Sequence, residues 1–308
     1  MGKNKPNKLV IIGAGPAGLS ASIYASRYGV GHIVIGELLG GLISETHLID
    51  NYPGIEDATG FEFSQKLAHH ARKYGVEIVP GRVKDIKKTE RGFEVEIGGK
   101  ENIQSQAILL ATGTKHRKLG ARGEEEFSGK GVSYCATCDG FFYKNKIVAV
   151  VGGSDSAAGA AVYLAGIAEK VYLIYRKDKL RAEPFWVKLI EKNPKIEVLY
   201  STNILEISGA EKLQKIKLDK AYKNAETLSI DGLFIEAGSV PNLDFAANLG
   251  LETDEDGHIK INPDSSTNVP DVWAAGDITN GSDKFRQVIT ACAEGAIAAR
   301  SIYNYLKK

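Results

Sequence analysis

Two stretches of this chain repeat one pattern: a short apolar strand, a glycine-rich turn, a helix-compatible run and a second apolar strand. In the first, residues 9–12 lead into Gly13-Ala14-Gly15-Pro16-Ala17-Gly18, a helical stretch over 19–28 and an apolar run over 32–35. In the second, residues 147–151 lead into Gly152-Gly153-Ser154-Asp155-Ser156-Ala157, a helical stretch to about Ala168 and a strand over 171–175. Runs that are apolar throughout, rather than alternating, have the composition of parallel strands buried on both faces. The repeat therefore predicts a duplicated dinucleotide-binding unit, an α/β fold with two Rossmann-like domains.

The rest of the chain arranges itself around these units. Residues 61–74 predict a helix, 76–97 alternating strands and 107–111 a buried strand. A polar stretch, 115–123, predicts a linker. Strands are expected near 197–218 and 228–235, and a breaker cluster falls at Gly238-Ser239-Val240-Pro241-Asn242. A last strand over 272–275 and a helix over 289–306 complete the pattern. One nucleotide unit thus lies inside the other domain: residues 1–116 and 242–308 form the first, discontinuous domain, and 117–241 the inserted one.

Charge narrows the function. Lys plus Arg number 39 against 38 Asp plus Glu, leaving a net charge of +1. That balance gives no long-range attraction to nucleic acid or an anionic membrane. No apolar run reaches the roughly 18 residues a membrane span needs. Lys3, Lys5 and Lys8 read as a solvated tail without a signal peptide, and the three cysteines are too few for a disulphide scaffold. A cytoplasmic protein is expected, with Cys135 and Cys138 redox-active or metal-binding.

At the first turn, Gly13 permits the tight bend, Gly15 lets the backbone approach a pyrophosphate, and Gly18 allows close helix–strand packing. Glu37, at the end of the second strand, is placed to accept from an adenosine ribose. At the second turn Ser154 stands where a second glycine is usual. There the second strand ends in Tyr175-Arg176-Lys177, followed by Arg181, and cations at this position attract a 2′-phosphate. Two thiols at i and i+3 close a small disulphide readily. A zinc site needs further ligands, and there is no second CxxC while the six histidines are scattered. Asp139 is placed to exchange a proton with the thiol pair. Cys292, in an apolar helix, reads as a core residue.

Gly13 to Gly18, Asn51-Tyr52-Pro53-Gly54, Ala111-Thr112-Gly113 and Cys135-Ala136-Thr137-Cys138-Asp139-Gly140 together resemble the low-molecular-weight thioredoxin reductase family, as do Arg176 with Arg181-Ala182, Ala275-Gly276-Asp277 and Arg286-Gln287. The motifs span residues 9 to about 300. The resemblance implies FAD held by Gly13, Gly15, Pro16, Ala17, Glu37, Gly41, Asn51, Val83, Thr112, Gly113, Gly276, Asp277, Arg286, Gln287 and Val288. It implies NADPH at Gly153, Ser154, Asp155, Ser156, Arg176, Lys177 and Arg181, catalysis by Cys135, Cys138 and Asp139, a homodimer, and thioredoxin or a thioredoxin-like protein as partner. By the same analogy Cys138 faces the flavin and Cys135 attacks the partner; the residues alone do not separate those roles.

Five positions depart from the family pattern. Leu42 stands where a glutamine is usual, Ser154 and Asp155 add bulk and charge at the second turn, and Gly159-Ala160 replaces a glutamate pair. These leave open another donor (NADH, reduced deazaflavin or ferredoxin), and a dithiol oxidase of the same fold is the other alternative. Because dithiol and nicotinamide site share the inserted domain, a rotation of that domain about 115–119 and 238–241 is expected.

Overall fold

The computed structural model describes residues 7–99 and 102–307; Lys3 and Lys5 lie outside them. In chain order the strands are β1 (Asn7–Ile12), β2 (His32–Gly36), β3 (Ile78–Pro80), β4 (Val83–Thr89), β5 (Gly92–Ile97), β6 (Ile103–Leu110), β7 (Thr114–His116), β8 (Val132–Ser133), β9 (Ile147–Val151), β10 (Lys170–Tyr175), β11 (Ile196–Tyr200), β12 (Ile204–Gly209), β13 (Leu213–Tyr222), β14 (Ala225–Ser229), β15 (Gly232–Ile235), β16 (Ser239–Pro241) and β17 (Val272–Ala274). The helices are α1 (Pro16–Arg27), α2 (Gly60–Arg72), α3 (Ala136–Asp139), α4 (Asp155–Ala165), α5 (Pro184–Lys192) and α6 (Val288–Leu306). None is long and apolar enough to cross a membrane among the described residues.

The chain divides into two compact units: Met1–Ser44, Ile49–Lys115 and Val240–Lys308 form the first, and Glu45–Leu48 with His116–Ser239 the second. In the first unit the sheet order is β3-β2-β1-β6-β5-β4. Strand β6 pairs with β1 along one edge and divides its other edge between β5, antiparallel near Ile103, and β17, parallel at Ile108 to Leu110. The unbroken apolar run in β1 follows from burial on both faces. Leu9 and Ile11 pack with the alanines of α1 and α6, while Val10 and Ile12 pack with Phe93, Val95 and Ile259.

In the second unit the parallel sheet runs β11-β10-β9-β15-β8. Its central strand β9 sends Val148 and Val150 toward α4, and Ala149 and Val151 toward the antiparallel β12-β13-β14 sheet. The stretch 115–123, expected as a linker, is instead tied down. Thr114–His116 forms β7, the Leu119 and Gly120 amides donate to the Glu124 carboxylate at 2.9 and 2.6 Å, and the Arg122 backbone donates to the Leu205 carbonyl and accepts from the Ile207 amide. Its polar composition hid a local acceptor that satisfies its backbone. Likewise the breaker cluster near Gly238 contains β16, which pairs with β7.

Packing predicts opposite outcomes for two helix glycines. A Cβ on Gly295 of α6 would lie 2.1 Å from the Ala17 carbonyl oxygen, whereas one on Gly159 of α4 meets only the Trp186 ring at 3.4 Å. Gly295→Ala is expected to destabilise by about 1–3 kcal/mol and Gly159→Ala to stabilise by up to about 1 kcal/mol, read as opposite shifts of the thermal unfolding midpoint.

Candidate active site

In the first unit the glycines of the first turn bring three backbones together. Gly13 has φ +119°, and a Cβ there would lie 2.0 Å from the Ala111 carbonyl oxygen; one on Gly18 would lie 1.9 Å from that of Gly13. Helix α1 therefore begins directly on the ends of β1 and β6. Gly15 is its N-cap, with no side-chain cap and no acidic residue in the first turn. Its first amides are left for an anion, favoured there by the helix dipole. Gly41, at φ +61°, faces this turn: a Cβ on it would lie 3.5 Å from the Gly15 Cα. Side chains at either position would fill the space over the turn, so the cradle fits a pyrophosphate. Glu37 is exposed at the end of β2, 4.0 Å from Arg82. Val83 points into the core beside Ile86, Val95 and Ile97, so a contact with a cofactor falls to its backbone.

Two distant FAD candidates of this unit meet in space. Asn51 Nδ2 donates to Gln287 Oε1 at 3.0 Å, 236 positions away in sequence. Thr112 Oγ1 donates to the Asn242 carbonyl at 3.1 Å, and Gly113 has φ +60°. Val288, the first residue of α6, is buried. Arg286 places one guanidinium nitrogen 2.7 Å from His258 Nε2, while its buried Nε finds no acceptor within the protein. A buried donor in that condition fits a site built for a polyanionic ligand. Asp277 is pushed up to about 6, chiefly by burial, against the lowering pull of Arg286 and with a raising push from Glu294.

Sequence reasoning missed the residue that organises this loop. Glu294 is buried in α6 and accepts from the Gly276 amide at 2.8 Å, Thr279 Oγ1 at 3.0 Å and Ser282 Oγ at 2.6 Å. The available signal was a lone acid inside the apolar run of the last helix. Cys292 is buried on the same helix, its thiol pushed up to about 11 by burial, as a core residue should be.

The second unit carries the dithiol. Cys135 and Cys138 form a disulphide with Cα atoms 5.3 Å apart. Their position follows from the sheet: Leu233 and Phe234 of β15 pair with Val132 and Ser133 of β8, and the chain continues through Tyr134 into the pair. Ser133 Oγ accepts from the Cys135 amide at 3.1 Å, and Cys135 Sγ accepts from the Cys138 amide at 3.1 Å. Tyr134 OH donates to Glu124 at 2.5 Å, and Glu124 is the carboxylate that holds Leu119 and Gly120. Gly140 lets the segment after the thiols lie against α4, since a Cβ there would meet the Tyr163 and Leu164 side chains at 2.9 and 3.0 Å. Cys138 is exposed, and Cys135 and Asp139 are half-buried.

The second nucleotide turn lies in the same unit. Gly152 has φ +150°, Ser154 is the N-cap of α4 without a side-chain cap, and Ser156 is exposed. Asp155 does not point its charge at an incoming anion unopposed: its Oδ1 accepts from the Glu183 amide at 2.7 Å. The Tyr175 ring lies over Gly153, whose added Cβ would meet it at 2.4 Å. Arg176, Lys177 and Arg181 are all exposed just beyond. Glu236, which sequence reasoning passed over, follows β15 beside this turn; its carbonyl lies 2.3 Å from where a Gly152 Cβ would be, and burial pushes its carboxyl up to about 7.

A model of the pyridine nucleotide-disulphide oxidoreductase family matches residues 7–295. The chain belongs to that family. It is 38% identical to the thioredoxin reductase of Listeria innocua, over 97% of this chain and 94% of that protein. It is equally identical to that of Bacillus subtilis, over 100% of this chain and 97% of that protein. The thioredoxin reductase structure from T. acidophilum superposes with a TM-score of 0.93 at 35% identity, covering 99% of this chain and 100% of that one. The expected resemblance, the α/β fold with two dinucleotide-binding units and the class of flavin-dependent disulphide oxidoreductase are borne out. Thioredoxin reductases of this family use FAD and NADPH.

Asp277 gives a test of the first cradle. Its folded-state value, about 6, lies above its ordinary 3.8, so the ionised carboxylate costs stability above pH 6, and that cost disappears as pH falls through 6 toward 3.8. In FAD-free protein, Asp277→Asn is expected to raise stability by about 1–3 kcal/mol at pH 8, with the gain shrinking between pH 6 and 4, as read by urea unfolding at each pH.

Proposed function

We propose that the chain is a thioredoxin-disulphide reductase, a cytoplasmic homodimer that passes electrons from NADPH through FAD to the Cys135–Cys138 pair and on to thioredoxin or a thioredoxin-like protein. The observation that carries this reading is a formed Cys135–Cys138 disulphide just beyond β8, an edge strand of the sheet whose central strand β9 leads into a glycine nucleotide turn. The names of the relatives from Listeria innocua and Bacillus subtilis point to the same partner.

Residues 1–116 and 242–308 hold FAD, and 117–241 hold NADPH. In the first domain Gly13, Gly15, Pro16 and Ala17 present the α1 amides to the pyrophosphate, Glu37 takes the ribose, Gly41, Asn51 and Val83 contact other parts of FAD, and Thr112 and Gly113 pack near the cofactor. Gly276, Asp277, Arg286, Gln287 and Val288 complete that cradle. In the second domain Gly153, Ser154, Asp155 and Ser156 form the turn, while Arg176, Lys177 and Arg181 attract the 2′-phosphate. Engagement of Asp155 by the Glu183 amide supports use of this turn by a dinucleotide. Bound FAD supplies the two-electron chemistry linking a nicotinamide to a disulphide.

The chain's own step is thiol–disulphide exchange. One thiolate of the reduced pair attacks the partner disulphide, forming a mixed disulphide and expelling one partner thiolate. The second thiol then displaces the other partner sulphur, re-forming the Cys135–Cys138 bond and leaving the partner reduced by two electrons and two protons. Asp139 exchanges the proton at the pair. Exposed Tyr24, Ile289 and Ile297 on α1 and α6 supply apolar surface for a dimer. The inserted domain turns about the β7–β16 crossings, so that its nucleotide and its dithiol serve the flavin in alternation.

Two measurements test this reading. Anaerobic NADPH is expected to bleach the oxidised flavin band of the yellow protein; bleaching by NADH alone would change the donor, and bleaching by neither would overturn the nicotinamide assignment. Cys138→Ser is expected to abolish reduction of thioredoxin while the flavin remains bound and reducible. Full-rate turnover by that variant would overturn the role of the pair.

A further inference from the structure

Arg286 is held from behind by a short relay of charged and polar groups in the first unit. The buried imidazole of His258 lies between Asp254 and Arg286, with Nδ1 3.3 Å from Asp254 Oδ1 and Nε2 2.7 Å from the Arg286 guanidinium. Arginine has only donors, so Nε2 must accept, and the proton of a neutral ring sits on Nδ1, facing Asp254. Asp254 is fixed in turn: its Oδ1 accepts from the His258 and Asp256 amides at 2.9 and 3.0 Å, and its Oδ2 lies 3.0 Å from Lys284 Nζ. Lys284 also reaches Asp256 Oδ2 at 2.8 Å. Asp254, Asp256 and His258 have the composition of a metal site, but Lys284 already neutralises both carboxylates and Arg286 occupies the ring nitrogen. The arrangement orients a guanidinium instead.

We propose that His258 is a positioning residue for FAD: its neutral ring aims Arg286 at the cofactor, and protonation of that ring lets Arg286 go. The inference rests on the assignment of Arg286 to FAD made above. One edge of the guanidinium is taken by His258, while its buried Nε has no protein acceptor and remains available to a ligand. An imidazolium has no lone pair for Arg286, so the contact turns from attraction to repulsion. Burial, and then Arg286 and Lys284, hold His258 below its ordinary value of 6.5, against the raising influence of Asp254. The other groups around the relay are Asp256, paired with Lys284, and Asp277, which faces Arg286 and itself feels Glu294. His258 favours the neutral form in the folded protein, so its support is still intact at pH 6.5 and is lost only at lower pH, where the folded ring takes up a proton.

The test compares FAD affinity, read by flavin fluorescence, from pH 8 to pH 5 in wild type, His258→Gln and His258→Phe, with folding checked by circular dichroism. Gln restores an acceptor that does not protonate, and Phe restores only bulk. Wild type is expected to lose about tenfold more affinity on acidification than His258→Gln, whose remaining pH dependence belongs to Asp277. His258→Phe is expected to bind at least tenfold more weakly than His258→Gln at pH 8. Coincident wild-type and His258→Gln profiles, or wild-type affinity in His258→Phe at pH 8, would overturn the proposal. A wild-type protein that binds no FAD at any pH would overturn the cofactor assignment instead. In FAD-free protein, nitrogen NMR at pH 8 then reads the ring directly: a proton on Nδ1 is expected, and a proton on Nε2 would refute the relay.

Discussion

A helix end can hold a pyrophosphate only if strand, turn and helix touch through their backbones, and that contact is the constraint on which the first unit is built. At Gly13 and Gly18 there is no room for a Cβ against the Ala111 and Gly13 carbonyls. The approach sets where α1 begins, and α1 in turn sets where α6 packs, since Gly295 lies directly on the Ala17 carbonyl. Glu294, the next residue back along α6, then reaches the Gly276 amide. One close contact between β1 and β6 thus fixes both ends of the cradle, through a helix pair lined by alanines.

Buried charge in this protein is organised by backbone amides as much as by opposite charge. Glu294 accepts from an amide and two hydroxyls, Glu124 from two amides and a tyrosine, and Asp254 from two amides before Lys284 is counted. Glu294 ties a loop to α6, while Glu124 and Asp254 close loops on themselves beside Cys135 and Arg286. Loops bearing function are positioned here by internal acceptors.

What was legible in the sequence was what is contiguous in it. The two glycine turns declare themselves because strand, bend and helix follow one another without interruption, and the Cys135–Cys138 pair because a bond across three positions needs no tertiary information. The thin strands β7 and β16 escaped notice, being short and polar and visible only once they pair. His258 and Arg286 are 28 positions apart and Asn51 and Gln287 are 236 apart, so no periodicity links them. Ser154 and Asp155 were legible as departures from a pattern but not in consequence, because the amide that receives the Asp155 charge comes from Glu183, on a different segment. Resemblance to a family supplied the roles of residues such as Asp277 and Gln287 that local pattern could not.

The pairing of β7 with β16 has an evolutionary reading. The chain leaves the first unit and re-enters it on neighbouring strands, and the sheet beyond is stitched on both sides of the interruption, by β5 and β17 sharing one edge of β6. An insert whose two ends emerge side by side behaves as a cassette: it can be exchanged, shortened or remodelled without creating new termini in the host sheet. Residues of the second unit, such as Ser154 and Gly159, can therefore vary while the sheet of the first unit keeps its register. In such an architecture each unit can be altered without disturbing the strand order of the other.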